Sequence, residues 1–512
     1  MRKLFLTLLG CMLIGISCQN DLEDNYVVDK NEEATKPLSE LERFSLLLSK
    51  AVSNSTELRT FIRNESLKMV DNDYDVFYPI VKDKLIKDNI SFRDILKQFD
   101  YDNELGYLEQ QLPLLTIYVP ELPSDFNAEN WKSIEEIPHI TTRVKGRKTI
   151  SYYRDGNADL ELPSNLIPGF PVLVVKNNER IVEQKSITRG HNPVSVNDRY
   201  SFIDAEFDGI NNKKTVAKTR AVEPALFEQS EIAHLKTAYD EMGVSGEYWQ
   251  RDNIYYGLTP TNTSGALKRN IVEYIKMLKF TYEAFLKMKD QPGDPDPIYK
   301  ILGKKSDYSD GISPEAFWQD GRFEFKIDVT INNQSGLGTN ITKFISVEPS
   351  RMFYTNFTRK DFKAGWMWFS TFEITSIVGT SFNTDIKLIT WDLQQNSFSW
   401  KFNFSEVDDQ ETYTTQETIT SEFATNFGVD LKKIGLNFGS SSKITKQSQF
   451  TRVIYKNSDE LGTLEVNFSD PILISYGNTF WLPLIPTIYN FCEIYMTTNP
   501  MVEIGLAPMI EY

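Results

Sequence analysis

The sequence predicts an α+β multidomain protein. It reads as a helical N-terminal region, a small β region, a second helical region and an all-β, sandwich-like C-terminal domain. Three observations carry this reading. Apolar residues recur at helical spacing from Leu41 onward. Strict two-residue alternation runs from Phe323 to Ile331. Three prolines within Asp290–Pro297 separate the helical text from the β text.

Composition sets the outer bounds. The chain has 512 residues, 40% hydrophobic and 13% aromatic, enough apolar surface to bury large cores. Its 55 Lys+Arg stand against 71 Asp+Glu, a net charge of −16. That balance argues against nucleic-acid binding, which needs clustered cations, and against steering to an anionic membrane surface. Beyond the first seventeen residues, no apolar run approaches the roughly 20 needed for a helical span.

The N-terminus reads as an export signal. Arg2 and Lys3 precede the apolar run Leu4–Ile16, and Ser17 and Cys18 follow. A small residue followed by Cys resembles the lipobox of Bacteroidota-type surface lipoproteins. The resemblance implies removal of residues 1–17 and lipidation of Cys18, which anchors the mature chain to a membrane. It departs from the strict pattern at Gly15 and Ile16. Residues 18–37 are polar and acidic and read as a flexible tether. An acidic stretch after the lipidated Cys resembles the signal for the outer surface, so the expected place is the outer membrane, at the cell surface or otherwise facing the periplasm. With Cys11 discarded and Cys18 acylated, Cys492 has no disulfide partner and reads as a small buried hydrophobe.

Residues 38–115 read as helical. Ser39 and Glu42 have capping-box spacing, and Leu41, Phe44, Leu48 and Ala51 share a face. Ser55 opens a second helix carrying Leu58, Phe61, Ile62 and Met69; Ser91 and Asp94 open a third. Asp71, Asp73 and Asp75 alternate as Ca²⁺ ligands do, but Val76 and Lys82 stand where an EF-hand needs Gly and Glu.

Residues 116–215 read as β-rich, with a hairpin from Pro171–Val175 through Asn177-Asn178 to a returning strand. Residues 216–297 read as helical. Phe227–Met242 is one helix. Thr263 or Ser264 caps another reaching Lys289, its face formed by Leu267, Ile271, Tyr274, Ile275, Leu278, Tyr282 and Phe285. Residues 315–512 read as all-β. Phe323–Ile331 is a half-buried strand, and Phe398, Trp400, Phe402 and Phe404 mark the apolar face of another.

No catalytic constellation emerges, and no cofactor or metal is expected. His139, His191 and His234 form no zinc motif. Glu231 and His234 give half of a di-iron motif without its other half. Asp307–Gly311 reads as an Asp-Gly turn rather than a Ca²⁺ loop. Candidate ligand-binding aromatics are Trp366, Trp368 and Trp481, with Phe369 and Tyr255-Tyr256 beside them in the reckoning.

The segment 412–455 stands apart. Two Ser/Thr-rich stretches flank a centre in which Phe427, Val429 and Leu431, then Ile434, Leu436 and Phe438, alternate with Gly, Asp and Asn about Lys432-Lys433. This texture resembles the insertion hairpin of aerolysin-type β-pore-forming proteins, which implies strands that become transmembrane.

The expected function is a non-enzymatic binding module for a glycan, host or envelope partner. The alternative is a β-pore-forming or antagonistic effector using the 412–455 hairpin. The third is a hydrolase working with two carboxylates.

Overall fold

The computed structural model describes residues 37–512, except 88, 123, 143–148, 164–165, 185–192, 214–228, 245–247, 263, 290–322, 334–338, 365–366, 393–394, 408–411, 424–443, 456–458 and 479–489. Strand outweighs helix, 44% against 24%, in a mixed α+β fold.

The first half wraps helices over a sheet. Helix α1 (Glu40–Asn54) starts at the expected capping box: Glu42 N donates to Ser39 Oγ at 3.3 Å and Ser39 N to Glu42 Oε2 at 2.8 Å. Helix α2 (Thr56–Ser66) follows under its Ser55 cap. It stops before Met69, which was expected on it; Met69 has φ 50° and turns the chain. Then come β1 (Asp75–Phe77), the single turn α3 (Tyr78–Val81), β2 (Leu85–Lys87) and β3 (Ile90–Ser91). Next are α4 (Phe92–Phe99), capped by Ser91 with Asp94, and α5 (Leu105–Gln111). The region expected to be helical thus also contributes strand β1, whose three residues are buried.

Strands β4 (Leu115–Tyr118), β5 (His139–Thr141), β6 (Thr149–Arg154), β7 (Asn157–Pro163), β8 (Leu166–Pro168) and β9 (Val172–Asn177) follow. They build a six-stranded sheet in the order β1-β4-β9-β5-β6-β7, antiparallel except for the parallel pair β5–β9. Phe44, Leu48, Leu58 and Ile62 of the helices share one buried core with Leu115, Ile117, Leu173 and Val175 of the sheet.

The expected hairpin around Asn177-Asn178 does not form. After the turn, β10 (Ile181–Glu183) pairs instead with β12 (Tyr200–Phe202), which also holds β11 (Val194–Ser195). The cause is the buried turn. Asn178 Oδ1 accepts from Arg180 N and Ile181 N at 2.9 and 2.8 Å, and the Arg180 side chain turns into an acidic knot. Its Nε donates to Glu324 at 2.7 Å, its Nη2 to Asp73 at 2.8 Å and its Nη1 to the Asp71 carbonyl at 3.2 Å.

The second half opens with α6 (Gln229–Met242) and α7 (Gln250–Tyr256), which ends at Gly257 in the left-handed region, φ 68°. The helix expected from Thr263 or Ser264 to Lys289 is a correction. Ile271–Phe280 is strand β13, and only α8 (Tyr282–Lys289) is helical. β13 is buried on both faces, so its apolar residues follow no single period and satisfy a helical template by accident. β26 pairs with it from Ile271 to Phe280 and β18 from Tyr274 to Lys279, with a bulge between Ile275 and Met277.

Then come β14 (Phe323–Asn333), β15 (Thr339–Val347), the turn α9 (Pro349–Met352), β16 (Phe353–Ala364), β17 (Met367–Gly379) and β18 (Ser381–Lys387). After them run β19 (Asn396–Glu406), β20 (Thr412–Phe423), β21 (Ile444–Tyr455), β22 (Glu460–Asn467) and β23 (Leu473–Asn478). β24 (Asn490–Ile494), β25 (Thr497–Thr498) and β26 (Val502–Ile510) complete the order. Two four-stranded sheets, β15-β14-β19-β22 and β18-β13-β26-β25, contribute to one apolar core, with Ile275, Leu278 and Phe280 meeting Phe325, Ile327 and Phe402.

β14 alternates as expected, yet it is not half-buried. Glu324, Lys326, Asp328 and Thr330 on its polar face are 3%, 2%, 1% and 2% exposed. That face is neutralised internally: Lys326 Nζ donates to Asp328 at 2.7 Å and Glu324 takes Arg180.

Candidate functional site

The β16–β17 hairpin carries the site. Its strands pair from Phe353–Gly379 to Ala364–Met367, and β17 also pairs with β8. A Cβ at Gly169 would lie 2.8 Å from the Ser370 carbonyl, so glycine is what lets the segment after β8 approach β17. Odd and even residues then divide. Phe369 turns inward, stacked at 5.7 Å on Phe362 and edge-on at 5.3 Å to Phe170. Trp368 turns outward and is 70% exposed.

On the outward face Trp368 stands opposite Lys363, and Ser370 opposite Asp361. Arg359 Nε donates to Asp361 Oδ1 at 2.9 Å and Ser370 Oγ to the same oxygen at 2.6 Å. These two bonds, the Ser370 hydroxyl first and Arg359 second, hold the Asp361 carboxyl below its ordinary range. The result is an indole plane beside a fixed carboxylate and two cations, all at the surface. A polyol ring can stack its C–H face on the indole and hydrogen-bond to the polar row. The hairpin contributes one carboxylate to this face, whereas glycoside hydrolysis uses a pair.

Among the described tryptophans, Trp131, Trp249, Trp391 and Trp400 are buried and Trp368 is exposed. Trp366 and Trp481 lie outside the described residues. Tyr255 and Tyr256, weighed as platforms, are core residues at 0% and 3% exposure, as is Phe369 at 8%. The polar partners Arg359, Asp361, Lys363 and Ser370 were missed. Their signal was available: Arg359, Asp361 and Lys363 recur at every second position shortly before Trp368.

The other marked residues are structural or lie outside the description. His139 Nε2 meets Asp159 Oδ2 at 2.7 Å on the six-stranded sheet, and burial lowers its pKa against the opposing pull of Asp159. His234 Nε2 meets the Pro508 carbonyl at 2.7 Å, so the Glu231–His234 spacing serves packing. Cys492 is buried and its thiol is pushed up to about 11 by desolvation. Cys18, His191, Asp307–Gly311 and the hairpin centre Phe427, Val429, Leu431, Ile434, Leu436 and Phe438 lie outside the described residues.

The stretches flanking that centre are described. β20 and β21 pair antiparallel from Thr412–Tyr455 to Phe423–Ile444, as a sheet of their own that runs close to β19, β14 and β15.

Compared with known proteins, the chain matches no family model, and no curated protein or solved structure matches it either.

Proposed function

We propose that the protein is an exported, lipid-anchored envelope protein that binds a glycan or protein partner through the outward face of β16–β17. The C-terminal half acts as a sandwich-like binding module, and Cys18 carries the anchor. The observation that supports this most is the exposed Trp368 held beside a polar row, because exposed tryptophan and arginine side chains are the residues over-represented among binding hot spots. A glycan array and an envelope-protein pull-down with the full chain test it. Binding that Trp368→Ala abolishes, in a protein that stays folded, is the expected result. Binding unaffected by both Trp368→Ala and Asp361→Ala sinks the site. Cys18→Ala is expected to move the protein out of the membrane fraction.

A second reading rests on β20–β21. Each strand spans twelve residues, Thr412–Phe423 and Ile444–Tyr455, and pairs within its own two-stranded sheet. That exceeds the roughly 9–11 residues a tilted β-strand needs to cross a bilayer. As a pore former, the protein releases dye from liposomes and Val429→Asp stops the release. Intact liposomes across several lipid compositions leave the binding reading alone.

A further inference from the structure

Lys176 of β9 is a buried lysine, 2% exposed, set between two carboxyl groups. Its Nζ donates to both oxygens of Glu179, at 2.7 and 2.9 Å. The same nitrogen lies 3.3 Å from Asp75 Oδ2 and 5.2 Å from the centre of the Tyr118 ring. Asp75 is 1% exposed, and neither of its oxygens accepts a well-formed hydrogen bond among the described residues.

The sheet register makes the meeting inevitable. Asp75 of β1 pairs with Tyr118 of β4, and Tyr118 pairs with Val174 of β9. Lys176 is two residues beyond Val174, so it shares that face and reaches diagonally across the Tyr118 ring. Burial drives the Asp75 carboxyl well above its ordinary range, against the pull of Lys176, and so favours its protonated form. An ammonium, a carboxyl group and a carboxylate base therefore sit together among buried residues, with Lys176 Nζ 3.3 Å from Asp75 Oδ2, the kind of proximity from which intramolecular reactions gain.

We propose that Lys176 and Asp75 condense into an amide, Nζ to Cγ, with Glu179 moving the proton. The Lys176 ammonium gives one proton to the Glu179 carboxylate. The freed lone pair adds to Asp75 Cγ. The tetrahedral adduct expels one Asp75 oxygen as water, which takes the carboxyl proton and one amine hydrogen. One hydrogen stays on the new amide and Glu179 ends neutral. No oxidant is consumed, and a buried ion pair is replaced by neutral groups, which removes the burden of two desolvated charges. The bond would tie β1 to β9 across β4, covalently fastening the sheet in a chain that has no disulfide among its described residues.

Peptide mapping of the full-length protein tests this. Digestion under denaturing conditions is expected to yield the Asp75 peptide joined to the Lys176 peptide, lighter than their sum by one water. Lys176→Arg and Asp75→Ala remove the joined species, and Glu179→Gln lowers it at least about tenfold with both reacting residues in place. Separate Asp75 and Lys176 peptides from folded wild-type protein overturn the proposal whatever the variants do. A Lys176 linkage to Glu179 instead overturns the assignment of Asp75.

Discussion

Arg180 Nε donates to the Glu324 carboxylate at 2.7 Å, and the two residues are 0% and 3% exposed. The contact joins the turn after the six-stranded sheet to the first strand of the C-terminal region, and Asp73 and Asp71 also accept from the guanidinium. Removing one member strands a buried charge. Arg180→Ala is expected to cost about 3–5 kcal/mol in a denaturant titration, and Glu324→Gln less, since a neutral acceptor remains.

Neighbours on β17 should behave in opposite ways. Trp368→Ala touches an exposed side chain and is expected to leave stability within about 0.5 kcal/mol. Phe369→Ala empties a core position and should cost about 3–5 kcal/mol. Thermal unfolding of both variants separates a binding residue from a packing one.

Asp252 of α7 supplies a pH dependence. Desolvation raises its carboxyl from 3.8 to about 8, and its Oδ1 has no hydrogen-bond partner among the described residues. The folded state therefore holds a proton that the unfolded state releases above pH 3.8. Its contribution is fully present below that value and is lost as pH rises towards about 8. Asp252→Asn should flatten the decline, so that the variant's advantage over wild type grows across this window in denaturant titrations at successive pH values.

Cys492 should resist alkylation in the folded protein. Its thiol lies near 11 and is buried, so little thiolate forms and little reagent reaches it. Peptide mass spectrometry after iodoacetamide is expected to find Cys492 modified only when denaturant is present. Rapid native labelling would show that β24 opens.

What the sequence disclosed depended on the range of each interaction. Ser39 with Glu42 and Ser91 with Asp94 are three residues apart, and both caps form as read. The alternation of β14 was plain, but the burial of its polar face was not, because the neutralising Arg180 comes from 144 residues away. Asp71, Asp73 and Asp75 drew notice as possible cation ligands. They are instead buried beside Arg180 and Lys176, and no local spacing announces such a meeting. β13 was misread because a strand enclosed on both faces loses the period that identifies it. At the candidate site Trp368 was legible as an aromatic, whereas Asp361 and Ser370 became visible only once the hairpin register set them side by side.

The pairing of β13 with β26 dictates an order of assembly. Ile271 meets Ile510 and Phe280 meets Val502, so the earlier strand waits for one made long after it. Until Val502–Ile510 has been synthesised, Ile275 and Leu278 lack one of their flanking strands and the larger core stays open. A ribosome-bound chain can close the six-stranded sheet before the core around β13 can close. A copy truncated before β26 therefore exposes apolar surface that proteases and chaperones can recognise.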